Sequence, residues 1–140
     1  MTGPGPGPGA ALVSQDDDIP WEYIPGEEGR EDVIRWKTFC GSGKGNTHSM
    51  AFGICELPPD TVLHAHHHAE NEAYYIQDGT GKVFLDGKLV DVSPGSVVYV
   101  PENLTHGIRN AGERTLTLLW FFAVNRWSDV EYHMEYEKEF

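Results

Sequence analysis

The sequence has few basic residues, few cysteines and no long apolar run. Ten Lys and Arg residues stand against 22 Asp and Glu residues, which gives a formal net charge of -12. This negative charge opposes binding to phosphate backbones and to anionic membrane surfaces. Nucleic acids and membranes are therefore not expected partners.

The two cysteines, Cys40 and Cys55, are too few for a disulfide framework and do not form a CxxC pair. We expect both to be ordinary core or strand residues, because free cysteine is commonly buried. No apolar run reaches the ~20 residues that span a bilayer, and the first residues lack the charged and apolar regions of a signal peptide. The expected location is the cytoplasm.

A long helical period is also missing from the sequence. The chain of 140 residues suits one domain. Residues 1–18 begin with a Gly-Pro repeat and end in a run of three aspartates, a composition that predicts disorder. The single domain is therefore expected over residues 19–140.

Short apolar or alternating runs predict strands along the rest of the chain. They cover residues 33–39, 50–57, 61–68, 73–77, 82–85, 88–92, 96–100 and 115–124. Asp86-Gly87 lies between two of these runs and is a strong signal for a two-residue hairpin. The last run is almost wholly apolar after Thr117, so we expect it to be buried on both faces. Many short strands with close turns indicate an all-β fold, either an antiparallel barrel or a double-sheet jelly roll.

Three histidines and one glutamate supply the donor atoms of a metal site. His66 and His68 are two residues apart, so on a strand their imidazoles project from the same face while His67 points away. Glu72 can approach from a neighbouring segment. His106 lies 34 residues beyond Glu72 and must be brought to the site by folding.

The spacing around these residues resembles the two sequence motifs of the cupin superfamily. The matching residues are Asp60-(five)-His66-x-His68-(three)-Glu72-(six)-Gly79 and Gly95-(five)-Pro101-x-Asn103-(two)-His106-(three)-Asn110. Cupins usually have glycine at the positions of Asp60 and Asn103. Asp and Asn enter the left-handed backbone region more readily than most residues, so we expect the same turns. The resemblance implies a double-stranded β-helix, or jelly-roll barrel, with its motif core at residues 60–110 and with four metal ligands: His66, His68, Glu72 and His106.

This ligand set suits a divalent transition metal without identifying it. Imidazole and carboxylate donors bind Fe, Mn, Co, Ni, Cu and Zn, and affinity order alone does not determine which ion is loaded. Four protein ligands on a six-coordinate ion leave about two positions for water or substrate. An ion with open positions can polarise a carboxylate or carbonyl and acidify the adjacent carbon, so a small carboxylate is the expected substrate. His64 shares the strand parity of His66 but lies outside the motif register, and Glu70 is expected to face solvent.

Tyr74 and Tyr132 are the candidate catalytic residues. Tyr74 follows Glu72 by two residues and shares its face on a common strand. Tyr132 lies on a C-terminal segment that can fold across the barrel mouth. With the metal ligands, Tyr74 resembles the pattern of the small cupin lyases that cleave dimethylsulfoniopropionate into dimethyl sulfide and acrylate. In such lyases a tyrosine removes the proton α to a metal-bound carboxylate, which implies Tyr132 as the base and Tyr74 as the alternative.

A sulfonium substrate would also favour aromatic faces, through cation–π attraction worth ~0.5–2 kcal/mol. The candidate side chains for this contact are Trp36, Trp120, Phe122 and Trp127.

Three other functions can use the same ligands. A ferrous dioxygenase would bind dioxygen and needs no dedicated base. A zinc-type site could catalyse isomerisation or rearrangement of polar amino-acid derivatives, and a non-catalytic domain could use its metal to anchor a small molecule. Small cupins commonly pair through sheet edges and exchanged terminal strands, so the apolar and aromatic residues within 19–39 predict a homodimer.

Overall fold

The computed structural model of the protein describes residues 11–43 and 47–140. Within these residues the strands are β1 (Glu22–Tyr23), β2 (Arg35–Cys40), β3 (Ala51–Leu57), β4 (Val62–His67), β5 (Glu72–Asp78), β6 (Gly81–Leu85), β7 (Lys88–Val92), β8 (Val97–Val100), β9 (His106–Arg109), β10 (Leu116–Phe122) and β11 (His133–Met134). Single 3-10 turns occur at Asp16–Asp18 and Trp127–Asp129. In the part of the chain so described, no helix is long and apolar enough to cross a membrane.

The strands form two antiparallel sheets. The larger sheet has the order β1-β2-β3-β10-β5-β8, and the smaller has the order β11-β4-β9-β6-β7. Alternate residues of β3, β8 and β10 point into one core, which joins Leu57 and Ile76 of the larger sheet to Val83 and Ile108 of the smaller. The predicted all-β jelly-roll fold is confirmed.

Strand β10 differs from the expectation of burial on both faces. Its residues alternate between the core and the outer face of the sheet, and Phe121 on the outer face is 37% exposed. The strand is apolar on both faces, although only one of its faces packs against the core of the chain. Strands β9 and β11 were not predicted, since both are short and include histidine in place of an apolar pattern.

Two turns have the left-handed conformation expected where the sequence departs from the cupin motifs. Asp60 and Asn103 have positive φ angles of 65° and 61°, the left-handed conformation that a glycine would adopt there. The Asp86-Gly87 hairpin between β6 and β7 is also confirmed, with φ angles of 45° and 92° at its two central residues. The turns that lead into the ligand-bearing strands β4 and β9 are therefore those that the sequence indicated.

The segment predicted to be disordered is described from residue 11, and residues 1–10 lie outside the described part. At its end, Asp16–Asp18 form a 3-10 turn that contacts strand β2. The Lys37 ammonium, 6% exposed as a residue, donates to the Asp16 carboxylate at 2.5 Å and to its backbone carbonyl at 2.9 Å. A buried lysine needs such acceptors.

Residues 127–140, which we call the C-terminal strap, pass over one end of the barrel. Strand β11 within it pairs with β4. The strap ends at Phe140, whose ring stacks on Phe84 with centroids 4.9 Å apart. A Cβ at Gly107 would lie 2.7 Å from the Phe140 ring, so glycine permits this close contact. The strap therefore lies where Tyr132 can reach the barrel mouth.

Candidate metal centre

Three strands bring the four predicted ligands together at the barrel mouth. His66 lies in β4, opposite His106, the first residue of β9, and His68 follows directly after β4. Glu72 is the first residue of β5 in the other sheet. All four side chains are buried, and one potential ligand atom from each lies within 4.8 Å of the others. Each residue is at most 5% exposed.

Backbone carbonyls orient all three imidazoles. The Nδ1 atom of His66 donates to the His64 carbonyl at 2.7 Å, and that of His106 donates to the Leu104 carbonyl at 2.8 Å. The Nδ1 atom of His68 donates to the Glu70 carbonyl at 2.8 Å. Since a carbonyl can only accept, each neutral ring carries its proton on Nδ1 and presents a bare lone pair on Nε2. Such bonds orient metal-ligating histidines in general.

The distances at Glu72 fit a shared cation. Its Oε1 atom lies 3.1 Å from Nε2 of His68 and 3.2 Å from Nε2 of His106. Bare lone pairs repel a carboxylate at this distance unless a positive charge lies between them. Two ligands held at right angles by bonds of ~2.0–2.2 Å are about 3 Å apart, so this separation suits donors on one metal ion. The residues present therefore fit a divalent transition metal.

The charge balance of the centre also favours a cation. Burial, assisted by His106, lowers the pKa of His66 to about 4, so this imidazole stays neutral near pH 7. Burial opposes charge on His68 and on Glu72, but a proton on Nε2 of His68, which would lie where a metal ion would, pairs with the Glu72 carboxylate and raises the pKa of His68. Contacts with His106 and His68 lower the pKa of Glu72 despite its burial. Glu72 is thus an ionised carboxylate in a buried site.

The remaining histidines near this strand stay outside the cluster. His67 points away, as expected, and its Nδ1 lies 3.0 Å from the Glu135 carboxylate. His64 is exposed, with its ring 5.5 Å from Tyr136, and it lines a cavity together with Glu72 without joining the cluster. The pairing of β4 with β9 shifts between Leu63 and His66.

A cavity of about 360 Å³ opens beside the cluster. Glu72, Tyr74 and Tyr132 line it together with three tryptophans, Trp36, Trp120 and Trp127. Phe122, the fourth aromatic candidate, instead lies against His68 with ring centroids 5.2 Å apart.

The two cysteines remain free, as expected. Cys55 is buried and also lines the cavity. Burial and the charge of Glu72 raise the pKa of its thiol to about 12, so it is a protonated core residue.

The structure brings both candidate tyrosines to the centre in different environments. The Tyr132 ring lies 5.0 Å from His66 and 5.3 Å from His68 between centroids. Its hydroxyl oxygen accepts a hydrogen bond from Trp127 Nε1 at 3.1 Å. Tyr74 is 2% exposed, with its ring 6.4 Å from His106.

Burial and the charge of Glu72 raise the pKa of both phenols above the ordinary value. A hydrogen bond to Glu72 raises the pKa of Tyr74 further. The bond from Trp127 acts in the opposite direction on Tyr132. Tyr132 therefore has a donor, the Trp127 N–H, that stabilises its phenolate.

Three features of the centre were not found from the sequence. They are the indole N–H of Trp127, the carbonyls that orient the imidazoles, and the position of Glu70. Glu70 was expected to face solvent, but its Oε1 atom is buried and has no hydrogen-bond partner among the described residues. Its backbone carbonyl accepts a hydrogen bond from Nδ1 of His68. No motif encodes these contacts.

Comparison with known proteins agrees with this geometry. The sequence model of the family described as Cupin domain matches residues 53–122. Dimethylsulfoniopropionate lyase DddW of Ruegeria pomeroyi is 30% identical over 99 residues, which are 71% of this chain and 64% of that protein. The chain thus spans slightly less than two thirds of the lyase.

The oxalate-binding protein of Thermotoga maritima is 27% identical over 112 residues, which are 79% of this chain and 93% of that protein. Among solved structures, the polyketide cyclase RemF from Streptomyces resistomycificus superposes with a TM-score of 0.74 at 17% identity. The match covers 93% of this chain and 89% of the cyclase, and at this identity it shows the fold alone. The family model matches half of the chain, and the structure is a jelly roll around a buried His-His-Glu-His cluster. The chain therefore belongs to the cupin family.

Proposed function

We propose that the protein is a metal-dependent lyase that removes a proton α to a substrate carboxylate and expels a β leaving group. The observation that carries the proposal is Tyr132, which lies against two of the cluster histidines while its oxygen accepts from Trp127. Similarity to a dimethylsulfoniopropionate lyase supports this reaction class.

His66, His68, Glu72 and His106 would hold the ion. When bound, a divalent cation supplies Lewis acidity, which polarises a substrate carboxylate, and a positive charge, which lowers the pKa of neighbouring acids. That charge would oppose the effect of Glu72, which raises the pKa of both phenols.

Tyr132 is the better base of the two tyrosines. A base must hold its phenolate long enough to take a proton, and the N–H of Trp127 stabilises that phenolate. Tyr74 has its hydrogen bond to Glu72, which favours the neutral phenol. We therefore assign proton removal to Tyr132, and to Tyr74 the orientation of the Glu72 carboxylate.

The proposed reaction uses one base and one leaving group. Tyr132 takes the α proton, and the C–H electron pair forms the double bond between the α and β carbons. The bond from the β carbon to sulfur breaks, and its electron pair leaves with dimethyl sulfide. Acrylate remains, and Tyr132 later gives its proton to solvent.

The cavity suits a substrate with a cationic end. Three tryptophans line it, and neither Lys nor Arg is among the described residues that do. A sulfonium would be attracted to the faces of these rings. A second anionic group would find no positive side chain there. These features favour a sulfonium carboxylate over a dicarboxylate.

A metal-anchored binding module is the second candidate. It is favoured by the similarity to the oxalate-binding protein of Thermotoga maritima, which extends over 93% of that protein. Such a module would use the same four residues to anchor a small carboxylate, with Tyr132 serving as part of the wall.

The deciding experiment measures dimethyl sulfide release from dimethylsulfoniopropionate by protein loaded with Fe, Mn, Co, Ni, Cu or Zn in turn. We expect turnover with and without dioxygen, and slower turnover of substrate deuterated at the α carbon if proton removal limits the rate. His106→Ala should be inactive and His67→Ala should retain activity.

Two results would reject the lyase. Turnover of the carboxylate that absolutely requires dioxygen would indicate a dioxygenase. Reversible binding of oxalate without turnover of dimethylsulfoniopropionate under either atmosphere would indicate the binding module.

A further inference from the structure

The cavity beside the metal cluster is larger than dimethylsulfoniopropionate requires. Its volume is about 360 Å³. A cavity of ~150 Å³ in a protein core is enough to hold a benzene molecule. Dimethylsulfoniopropionate has only a few more non-hydrogen atoms than benzene, so it would leave a substantial part of this cavity unfilled.

The cavity runs from a buried floor to an exposed rim. On its floor lie Glu72, Tyr74 and Trp120, each at most 5% exposed. At its rim, Tyr136 is 63% exposed and Ile24 is 49% exposed. A substrate carboxylate belongs at the floor, next to the metal cluster. The rest of the substrate therefore extends toward the rim.

A line of contacts leads along the cavity wall away from the cluster. Tyr132, whose ring lies 5.0 Å from that of His66, accepts a hydrogen bond from Trp127. The Trp127 ring in turn lies 5.5 Å from the Trp36 ring between centroids. Ile34 also lines the cavity, two residues before Trp36 in the sequence. A substrate that extends outward from the cluster thus meets the tryptophans first and Ile34 after them.

The outer part of the cavity is apolar. We call its aliphatic residues the outer pocket, which consists of Ile24, Ile34, Val62, Leu63 and Met134. Among the described residues that line the cavity, the one carboxylate is Glu72 at the floor, and none is Lys or Arg. An apolar substituent gains free energy when it leaves water for such a pocket, whereas a charged one would lose its hydration without gaining a partner.

We propose that the substrate is a sulfonium carboxylate in which one group on sulfur is an alkyl substituent longer than methyl, and that this substituent occupies the outer pocket. This inference rests on the proposed lyase function and narrows its substrate class. The carboxylate lies at the metal cluster, the sulfonium lies among the tryptophans, and the substituent packs on Ile34 and Met134.

The elimination itself is unchanged by the longer substituent. Tyr132 takes the α proton, and the C–H electron pair forms the double bond of acrylate. The bond from the β carbon to sulfur breaks, and its electron pair leaves with the alkyl methyl sulfide. The outer pocket therefore contributes binding and specificity, while the cluster and Tyr132 contribute the chemistry.

Turnover of dimethylsulfoniopropionate and of its S-butyl-S-methyl analogue tests the proposal, with acrylate release as the common assay. Each methylene that moves from water into an apolar pocket improves binding about 4-fold. The analogue carries additional methylenes and the rim is open to solvent, so we expect kcat/KM to be at least 10-fold higher, mainly through a lower KM. Equal or lower kcat/KM for the analogue, with normal turnover of dimethylsulfoniopropionate, would overturn the inference and leave the lyase intact.

A variant that fills the outer pocket locates the substituent. Ile34→Trp should reduce the ratio of kcat/KM between the two substrates at least 5-fold, and a general loss of folded protein would not change this ratio. Val90→Trp is the control, because Val90 is 45% exposed on β7, the edge strand of the other sheet, and the ratio should stay the same. A ratio that Ile34→Trp leaves unchanged would contradict the assignment of the outer pocket.

Binding of unreactive analogues separates the outer pocket from the lyase reaction. In 3-(trimethylammonio)propionate and 3-(butyldimethylammonio)propionate, an amine replaces the sulfide as a much poorer leaving group. Calorimetry with the zinc-loaded protein should show at least 10-fold tighter binding of the butyl compound. Equal affinities would overturn the outer pocket. Tighter binding of the butyl compound without turnover of either sulfonium would reject the lyase and retain the outer pocket.

Discussion

Strand β4 separates two clusters that contain the same residue types, and their difference shows what a metal centre requires. On the inner side lie three imidazoles and one carboxylate: His66, His68, His106 and Glu72. On the outer side lie His67, His133 and Glu135, together with Thr105 and Lys138. Within the described chain, the inner cluster alone brings at least three donors within metal-binding distance of one another.

The outer carboxylate is already occupied by other donors. Glu135 accepts from Thr105 at 2.6 Å and from His67 at 3.0 Å, and Lys138 lies 3.2 Å from its other oxygen. The rings of His67 and His133 stack with centroids 5.0 Å apart and planes at 17°, so their nitrogens do not converge. In the inner cluster, backbone carbonyls occupy the Nδ1 atoms and leave the Nε2 atoms free. Orientation and competing partners therefore matter as much as residue type.

The largest effect that tests this comparison is loss of the metal. His68→Ala or His106→Ala should remove most bound metal, because each deletes one Nε2 donor beside Glu72. His67→Ala, on the same strand but in the outer cluster, should bind metal nearly as the unmodified protein does. Metal analysis of protein purified without chelator measures the difference.

The same variants should differ in thermal stability. An ion present at 100 times its Kd adds about 2.7 kcal/mol to the native state, so the inner variants should lose the stabilisation that metal confers. Equal metal retention in all three proteins would refute the assignment of the inner cluster.

The second-largest expected effect distinguishes the roles of the two tyrosines beside the inner cluster. If Tyr132 is the base, Tyr132→Phe should lower turnover by roughly 10²–10⁴-fold with metal content unchanged. Tyr74→Phe should lower it less, because Tyr74 acts through the orientation of Glu72. Steady-state rates and metal analysis of both variants give the answer. A larger loss in Tyr74→Phe would exchange the roles, and near-normal rates in both would remove the proton-abstraction mechanism.

Strand alternation was enough to predict much of this arrangement. It placed His66 and His68 on one face and His67 on the other, and the motif departures at Asp60 and Asn103 predicted two left-handed turns. These features depend on local backbone geometry, which the sequence pattern encodes directly. The short runs predicted an antiparallel barrel or a jelly roll, and the resemblance to cupins implied the jelly roll.

Other features depend on contacts between distant segments, and the pattern did not indicate them. The pairing between β4 and β9 shifts beside His64, which is a property of two strands together. The bond from Trp127 to Tyr132 requires the C-terminal strap to be docked. The exposure of Phe121 could not be predicted either, since an apolar run does not say whether its second face meets the same chain or another.

The smallest expected effect concerns the outer cluster. We expect this cluster to stabilise the strap and not to bind a metal. Bonds from Thr105 and His67, and the charge of Lys138, lower the pKa of Glu135 to about 2 from an ordinary value of 4.5. A carboxylate with a lowered pKa stabilises the folded state fully above pH 4.5 and loses this contribution as the pH falls toward 2. Partly exposed ion pairs are worth ~0.2–1 kcal/mol, so the effect is small.

Glu135→Gln should therefore lower the free energy of unfolding by less than about 1 kcal/mol at pH 7, and the gap from the unmodified protein should narrow below about pH 4.5. Urea unfolding at several pH values measures the gap. Glu131→Gln is the control on the same strap, because that side chain is 85% exposed and lies 4.0 Å from Nε2 of His133, beyond hydrogen-bond distance. A gap that widens on acidification would show that Glu135 is not held as a carboxylate by these partners. A metal-binding defect in Glu135→Gln equal to that of His106→Ala would instead erase the distinction between the inner and outer clusters.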